Sequence, residues 1–163
     1  MNEYQTRKAK IILALYWAVP VFFVAMMVFI PFFSGEEMGR AETIFFWLFF
    51  AALTIWFFII IYRIHHMRYL IKNGEITIYG VFKTNTVRIS EIEEIKRTPI
   101  PFGIRLFGGS LIGGRYFLPG IGRAWVAMTN FEDGVLITTR NKEHYLITPD
   151  KPGQFIDFIK STS

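Results

Sequence analysis

The pattern of apolar and polar positions changes abruptly along this chain. From Ile11 to Phe33 there are 23 residues without a charge, and from Thr43 to Tyr62 there are 20 more. Neither run carries a polar stripe at the 3.6-residue spacing of a surface helix; both are apolar on every side. At 1.5 Å per residue the first run reaches roughly 34 Å as a helix, enough to cross a hydrocarbon core of about 30 Å. The residues between them, from Ser34 to Glu42, are too few for a domain and read as a surface loop. The prediction is a transmembrane hairpin over residues 1–65, with spans at about 11–33 and 43–62. Pro20 falls in mid-span and predicts a kink. The first run is longer than the apolar core of a cleaved signal, and no Ala-x-Ala site follows it.

After Tyr62 the pattern shortens to alternating runs separated by turns. His66–Lys72 and Glu75–Tyr79 flank Asn73-Gly74, a strong hairpin signal. Further strands are predicted over 86–89, 123–129, 134–140 and 143–148, with turns at Asp133-Gly134 and Asn141-Lys142. Ser90 and Glu93 fit a capping box, so one helical turn is predicted there, anchored by Ile92 and Ile95. Asp150 and Pro152 announce a final helix, in which Phe155, Ile156, Phe158 and Ile159 form one apolar face. Phe155 and Phe158 are the expected plugs of a bent sheet.

Charge refines the picture. The net charge is +5, yet 11 Lys+Arg face 9 Asp+Glu from Gly74 onward, so most of the excess flanks the apolar runs. Arg7, Lys8 and Lys10 precede the first run; Arg63, Arg68 and Lys72 follow the second. Positive residues stay inside, which predicts a multi-pass protein of the cell membrane with both termini cytoplasmic. The same placement argues against a nucleic-acid partner. With no cysteine, disulfides, thiolate metal sites and cysteine nucleophiles are excluded.

The unusual segment is Gly103 to Gly122, which holds seven of the 13 glycines in 20 residues. It reads either as a tightly turned loop or as an anion or partner site. In the second reading Arg105, Arg115 and Arg123, with Gly108, Gly109, Gly113 and Gly114, would bind a lipid head group or an acidic peptide through guanidinium and backbone N–H groups. The spacing matches no phosphate-loop or dinucleotide fingerprint. His65-His66 is a poor metal pair, since adjacent helical residues diverge by about 100°. Glu91, Glu93 and Glu94 read as a solvated run beside Lys96 and Arg97. Ser110, His144 and Asp150 lack a nucleophile elbow. No catalytic residue, metal or cofactor is expected, and no enzyme.

A resemblance adds to this. Gly103-Ile104-Arg105-Leu106-Phe107-Gly108-Gly109-Ser110, Gly113-Gly114-Arg115-Tyr116-Phe117, Val135-Leu136-Ile137-Thr138-Thr139 and Tyr145-Leu146-Ile147-Thr148-Pro149-Asp150, ending on Phe155, resemble the bacterial pleckstrin-homology (PH) domain family of small membrane proteins. The resemblance implies a mainly β, α+β domain over 66–163: a PH-like antiparallel barrel or roll capped by the C-terminal helix. It implies a fold and no reaction. Many eukaryotic PH domains bind inositol phosphates on a long basic first loop, whereas Asn73-Gly74 offers only Lys72 beside Glu75. The functional expectation is a membrane-tethered binding or scaffold module whose partners are the bilayer and another membrane or cytoplasmic protein; self-association stays open. The rivals are a lipid- or anion-sensing module using the glycine–arginine segment, and an accessory subunit of a transporter, although the spans contain no charge of the kind that lines ion pathways.

Overall fold

A computed structural model describes residues 2–7, 9–34, 39–110 and 112–162. The chain divides into two compact units: Lys10–Tyr62, and Met1–Ala9 together with Arg63–Ser163. The first unit follows the two apolar runs. Helix α1 spans Lys10–Ser34, unbroken through Pro20, and α2 spans Arg40–His65. They meet antiparallel through aromatic rings, with Trp17 against Phe58 at 5.8 Å and Phe23 against Phe50 at 5.6 Å.

The second unit is α+β, with two open sheets in place of the closed barrel expected. The first sheet has the order β1-β2-β3-β4, from Asn2–Gln5, Arg68–Lys72, Glu75–Tyr79 and Thr84–Arg88, all antiparallel. The Asn73-Gly74 turn is a two-residue hairpin as predicted. Asn73 and Gly74 sit at φ 52° and 74°, the left-handed pair that such a turn requires. The second sheet has the order β5-β9-β10-β8-β7-β6. Its strands are β5 Ile92–Pro99, β6 Ile104–Ser110, β7 Gly113–Leu118, β8 Gly122–Ala127, β9 Asp133–Thr139 and β10 His144–Ile147. It is mixed, because the β9–β10 hairpin folds back and lays β10 parallel to β8.

Several local expectations are corrected. Thr84–Arg88 replaces 86–89 as a strand. Ser90 and Glu93 make no capping box. A single 3-10 turn covers Ile89–Glu91 without a side-chain cap, and Glu93 lies in β5. The glycine-rich segment is no loop; it forms the β6–β7 hairpin.

Helix α3, Pro152–Thr162, begins at proline as expected, but the Lys151 carbonyl, one residue after Asp150, accepts its first hydrogen bond from Phe155 N–H at 3.0 Å. It packs against β5 and β9. Phe155 and Ile159, one turn apart, are its buried residues, whereas Phe158 is half-buried. The N-terminal segment joins the sheets. While β1 extends the first sheet, Arg7 N–H donates to the Thr148 carbonyl at 3.0 Å and Ala9 N–H to the Thr129 carbonyl at 2.9 Å, both beside the second. Between the sheets, the buried Tyr69 donates its hydroxyl to the Ala127 carbonyl at 2.8 Å and accepts the Thr148 N–H at 3.1 Å.

Candidate functional site

Strand alternation decides where the predicted arginines go. On β7, Tyr116 and Leu118 are buried while Arg115 and Phe117 are exposed, so consecutive residues face opposite sides of the sheet. Arg115 is in register with Trp125 and Phe117 with Arg123. Arg115 and Arg123 therefore share one face. Arg105 is in register with Tyr116 and lies on the other. The three arginines do not converge.

The shared face carries a definite arrangement. The Arg115 guanidinium lies 4.7 Å from the centre of the Trp125 ring, and the Lys83 ammonium lies 4.4 Å from the same centre. An indole face attracts cations through its quadrupole, each contact contributing about 0.5–1 kcal/mol at exposed sites. Lys83 is delivered by the tight turn between β3 and β4, where Gly80 N–H donates to the Lys83 carbonyl at 3.1 Å. A Cβ at Gly80 would meet that carbonyl oxygen at 2.8 Å, so only glycine fits there. A groove of about 330 Å³ runs between this turn and the second sheet, lined by Lys83, Asn85, Phe107, Gly113, Gly114 and Trp125 among others. Gly113 and Gly114 are thus brought to this place. Gly108 and Gly109 fall within β6, and no surroundings are described for them.

Exposed apolar side chains surround the cations. Phe107 is 79% exposed, and Ile104 and Phe117 are also open to solvent. Arg123 and Arg105 take part in no ion pair among the described residues. The acidic run is satisfied elsewhere: Glu91 by Arg88, Glu93 by Lys142 and Glu94 by Lys96. Tyr145 lies in register with Trp125. Burial, aided by its 2.8 Å hydrogen bond to Glu143, pushes its phenol up to about 12, and the Arg115 charge opposes the rise. Among the described residues no group of three His, Cys, Asp or Glu side chains is placed to hold a metal.

The sequence reading missed Lys83 and Trp125. They lie some 40 residues apart, and only the pairing of a turn in one sheet with a strand in the other brings them together.

With the fold drawn, comparison becomes decisive: the family profile described as bacterial PH domain matches residues 67–163. The chain belongs to that family. Neither a curated protein nor a solved structure matches it. The matched residues contain strands β2 to β10 and α3 of this bacterial PH domain, whereas β1 lies outside them. Its first hairpin turn, Asn73-Gly74, pairs Lys72 directly with Glu75 and leaves no basic loop there. Three cations of this PH domain, Lys83, Arg115 and Arg123, lie instead on the β7–β8 face and the β3–β4 turn.

Proposed function

We propose that the chain is a membrane-anchored binding module, in which α1 and α2 cross the bilayer and the PH domain presents its β6–β8 face to an acidic protein partner. The anchor reading rests on exposure. The apolar windows of the two helices have mean hydropathies of 2.5 and 2.7 and are only 17% buried. A soluble core helix would be covered, yet Ile11 is 84% and Phe45 72% exposed. Both ends of the helical pair return to one unit, because β1 pairs with β2. The two flanks thus lie on one side of the membrane, and their basic residues make that side cytoplasmic.

The single observation that carries the binding reading is Trp125 with both Lys83 and Arg115 over its ring, amid exposed Phe107, Ile104 and Phe117. Aromatic and arginine side chains around a desolvated centre are the usual anchors of protein interfaces. Nothing in this arrangement calls for catalysis. Tethering in one membrane raises the effective concentration of a partner, so a modest contact suffices. The same exposed aromatics and cations would also suit an anionic leaflet, where each arginine is worth about 1 kcal/mol; this is the second reading.

Two expected results follow. Single cysteines placed at Gly39 and Thr162, in a chain without native cysteine, should differ in intact cells: an impermeant thiol reagent labels the first and spares the second. The reverse pattern would overturn the topology. A photo-crosslinking residue at Phe107 or Phe117 should yield an adduct in membranes that the exposed control position Lys160 does not give. The triple change Lys83→Gln, Arg115→Gln, Arg123→Gln should reduce that adduct severalfold. A protease-sensitive adduct supports a protein partner, and a lipid-sized adduct supports the leaflet. Equal yields at Phe107 and Lys160 would remove the face from consideration.

A further inference from the structure

A larger cavity, of about 490 Å³, lies on the opposite face of the same sheet. Its floor is apolar and buried: Leu118, Val126, Met128 and Leu146, with Tyr116 beside them, belong to one packed cluster. The residues 100–103 that link β5 to β6 also line the cavity, as does Phe131. These two sheet edges are joined by a short link, so the sheet must curl, and a concave apolar surface results. Phe102, 94% exposed, and Phe131, 57% exposed, are large apolar side chains left in solvent at this cavity. Its volume falls within the roughly 300–1,000 Å³ typical of small-molecule sites.

One charge belongs to it. Of the described residues lining the cavity, Arg105 alone is ionised; its register with Tyr116 turns it toward the floor side. No described carboxylate pairs with it. A guanidinium beside apolar walls attracts an anion more strongly than it would in open water, and its planar fork suits a carboxylate or phosphate. The apolar floor, the exposed aromatics and the lone cation together specify a ligand with two parts.

We propose that this cavity binds a single-chain anionic amphiphile, an alkyl chain ending in a carboxylate or phosphate, with the chain against Leu118, Val126, Met128 and Leu146 and the head group on Arg105. The site is independent of the Lys83–Trp125–Arg115 face, which lies across the sheet. The chemistry is shared by a free fatty acid and by a lipid taken from the leaflet.

The test uses the full chain in lipid nanodiscs and three photoreactive probes: a palmitic-acid analogue carrying a mid-chain diazirine, the matching alcohol, and a lysophosphatidic acid bearing the same single chain. Peptide mapping after irradiation should place saturable label from an anionic probe on β7, β8 or the 100–103 link, with unlabelled palmitate competing. Arg105→Gln should lower that label about fivefold, the size expected for a partly exposed ion pair. The alcohol should label the wild type no better than the acid labels the variant. Arg105 is exposed and has no ion pair among the described residues, so the variant should melt like the parent. Label from the free-acid probe alone assigns the source to free amphiphiles, and label from lysophosphatidic acid assigns it to the membrane. Label confined to residues 10–62 would overturn the site. So would label that does not saturate, or that neither the alcohol head group nor Arg105→Gln reduces.

Discussion

Replacing Phe155 by alanine should cost the PH domain about 3–5 kcal/mol, the range for removing a fully buried aromatic ring. Phe155 is fully buried, and its ring meets Tyr4 edge-on at 5.1 Å and Tyr69 at 6.3 Å. It therefore joins three parts of the chain at once: α3, the N-terminal strand and the first strand of the family-matched region. A cavity there has Tyr69 on one side, itself fixed by two hydrogen bonds, and cannot collapse easily. In a domain stabilised by roughly 5–15 kcal/mol the loss is a large fraction of the whole. Thermal unfolding followed by near-ultraviolet circular dichroism should show a drop of more than about 10 °C. Phe158→Ala, at the half-buried position, should shift the transition much less. Equal shifts for the two variants would show that the helix packs through a different face.

The second large effect is expected at Tyr69. Its hydroxyl serves the Ala127 carbonyl and the Thr148 N–H in a fully buried place. Tyr69→Phe keeps the ring but withdraws a partner from two backbone groups. Each buried group left unsatisfied costs about 1–3 kcal/mol, so a total of about 2–6 is expected. Denaturant titration of the full chain measures it, and a loss below about 0.5 kcal/mol would mean that water replaces the hydroxyl. The alkaline limb adds a signature. Burial raises the Tyr69 phenol well above its ordinary value of 10.0, partly opposed by the Thr148 hydrogen bond, and raises Tyr145 to about 12. The folded state thus holds both phenols neutral. Their contribution is complete below pH 10.0 and is lost as pH climbs from there through the folded values. Stability should fall above about pH 10, and Tyr69→Phe should flatten part of that slope. A slope unchanged in the variant would assign the alkaline loss to other groups.

What could be read from the sequence was local. Two uncharged runs, the Asn73-Gly74 turn and the Phe155 helix each carry their signal within a few residues, and each is present. The failures come from pairings between distant segments. Asn2–Gln5 contains one half-buried residue, Tyr4, and too little alternation to mark a strand; its partner begins at Arg68. In β5 the half-buried residues Ile92, Ile95 and Thr98 recur every three positions, with a bulge between Ile92 and Glu94. That spacing imitates a helix, which is why a capped turn was expected in its place. The arginines show the same limit. Arg115 and Arg123 differ by an even number across one hairpin, but the face of Arg105 depends on how β6 pairs with β7, including a bulge next to it. The parallel β8–β10 pair, which keeps the second sheet mixed, has no local mark at all.

The N-terminal segment has a consequence for the order of synthesis. Residues 2–7 and 9 are synthesised before both apolar helices, yet their described backbone and side-chain partners lie far downstream. They include Met67, reached from Thr6 across 61 positions, the strand 68–72, Thr129 and Thr148. The strand must wait, unpaired, while both apolar helices are made, and the cost of closing so long a loop is offset only once its partners in both sheets are in place. On the membrane-anchor reading proposed above, a chain in which one helix failed to insert would hold residues 2–7 and 68–162 on opposite sides of the bilayer, and β1 could not dock. On that reading, completion of the domain doubles as a proofreading step: the fold would close only on chains whose two flanks ended on the same side.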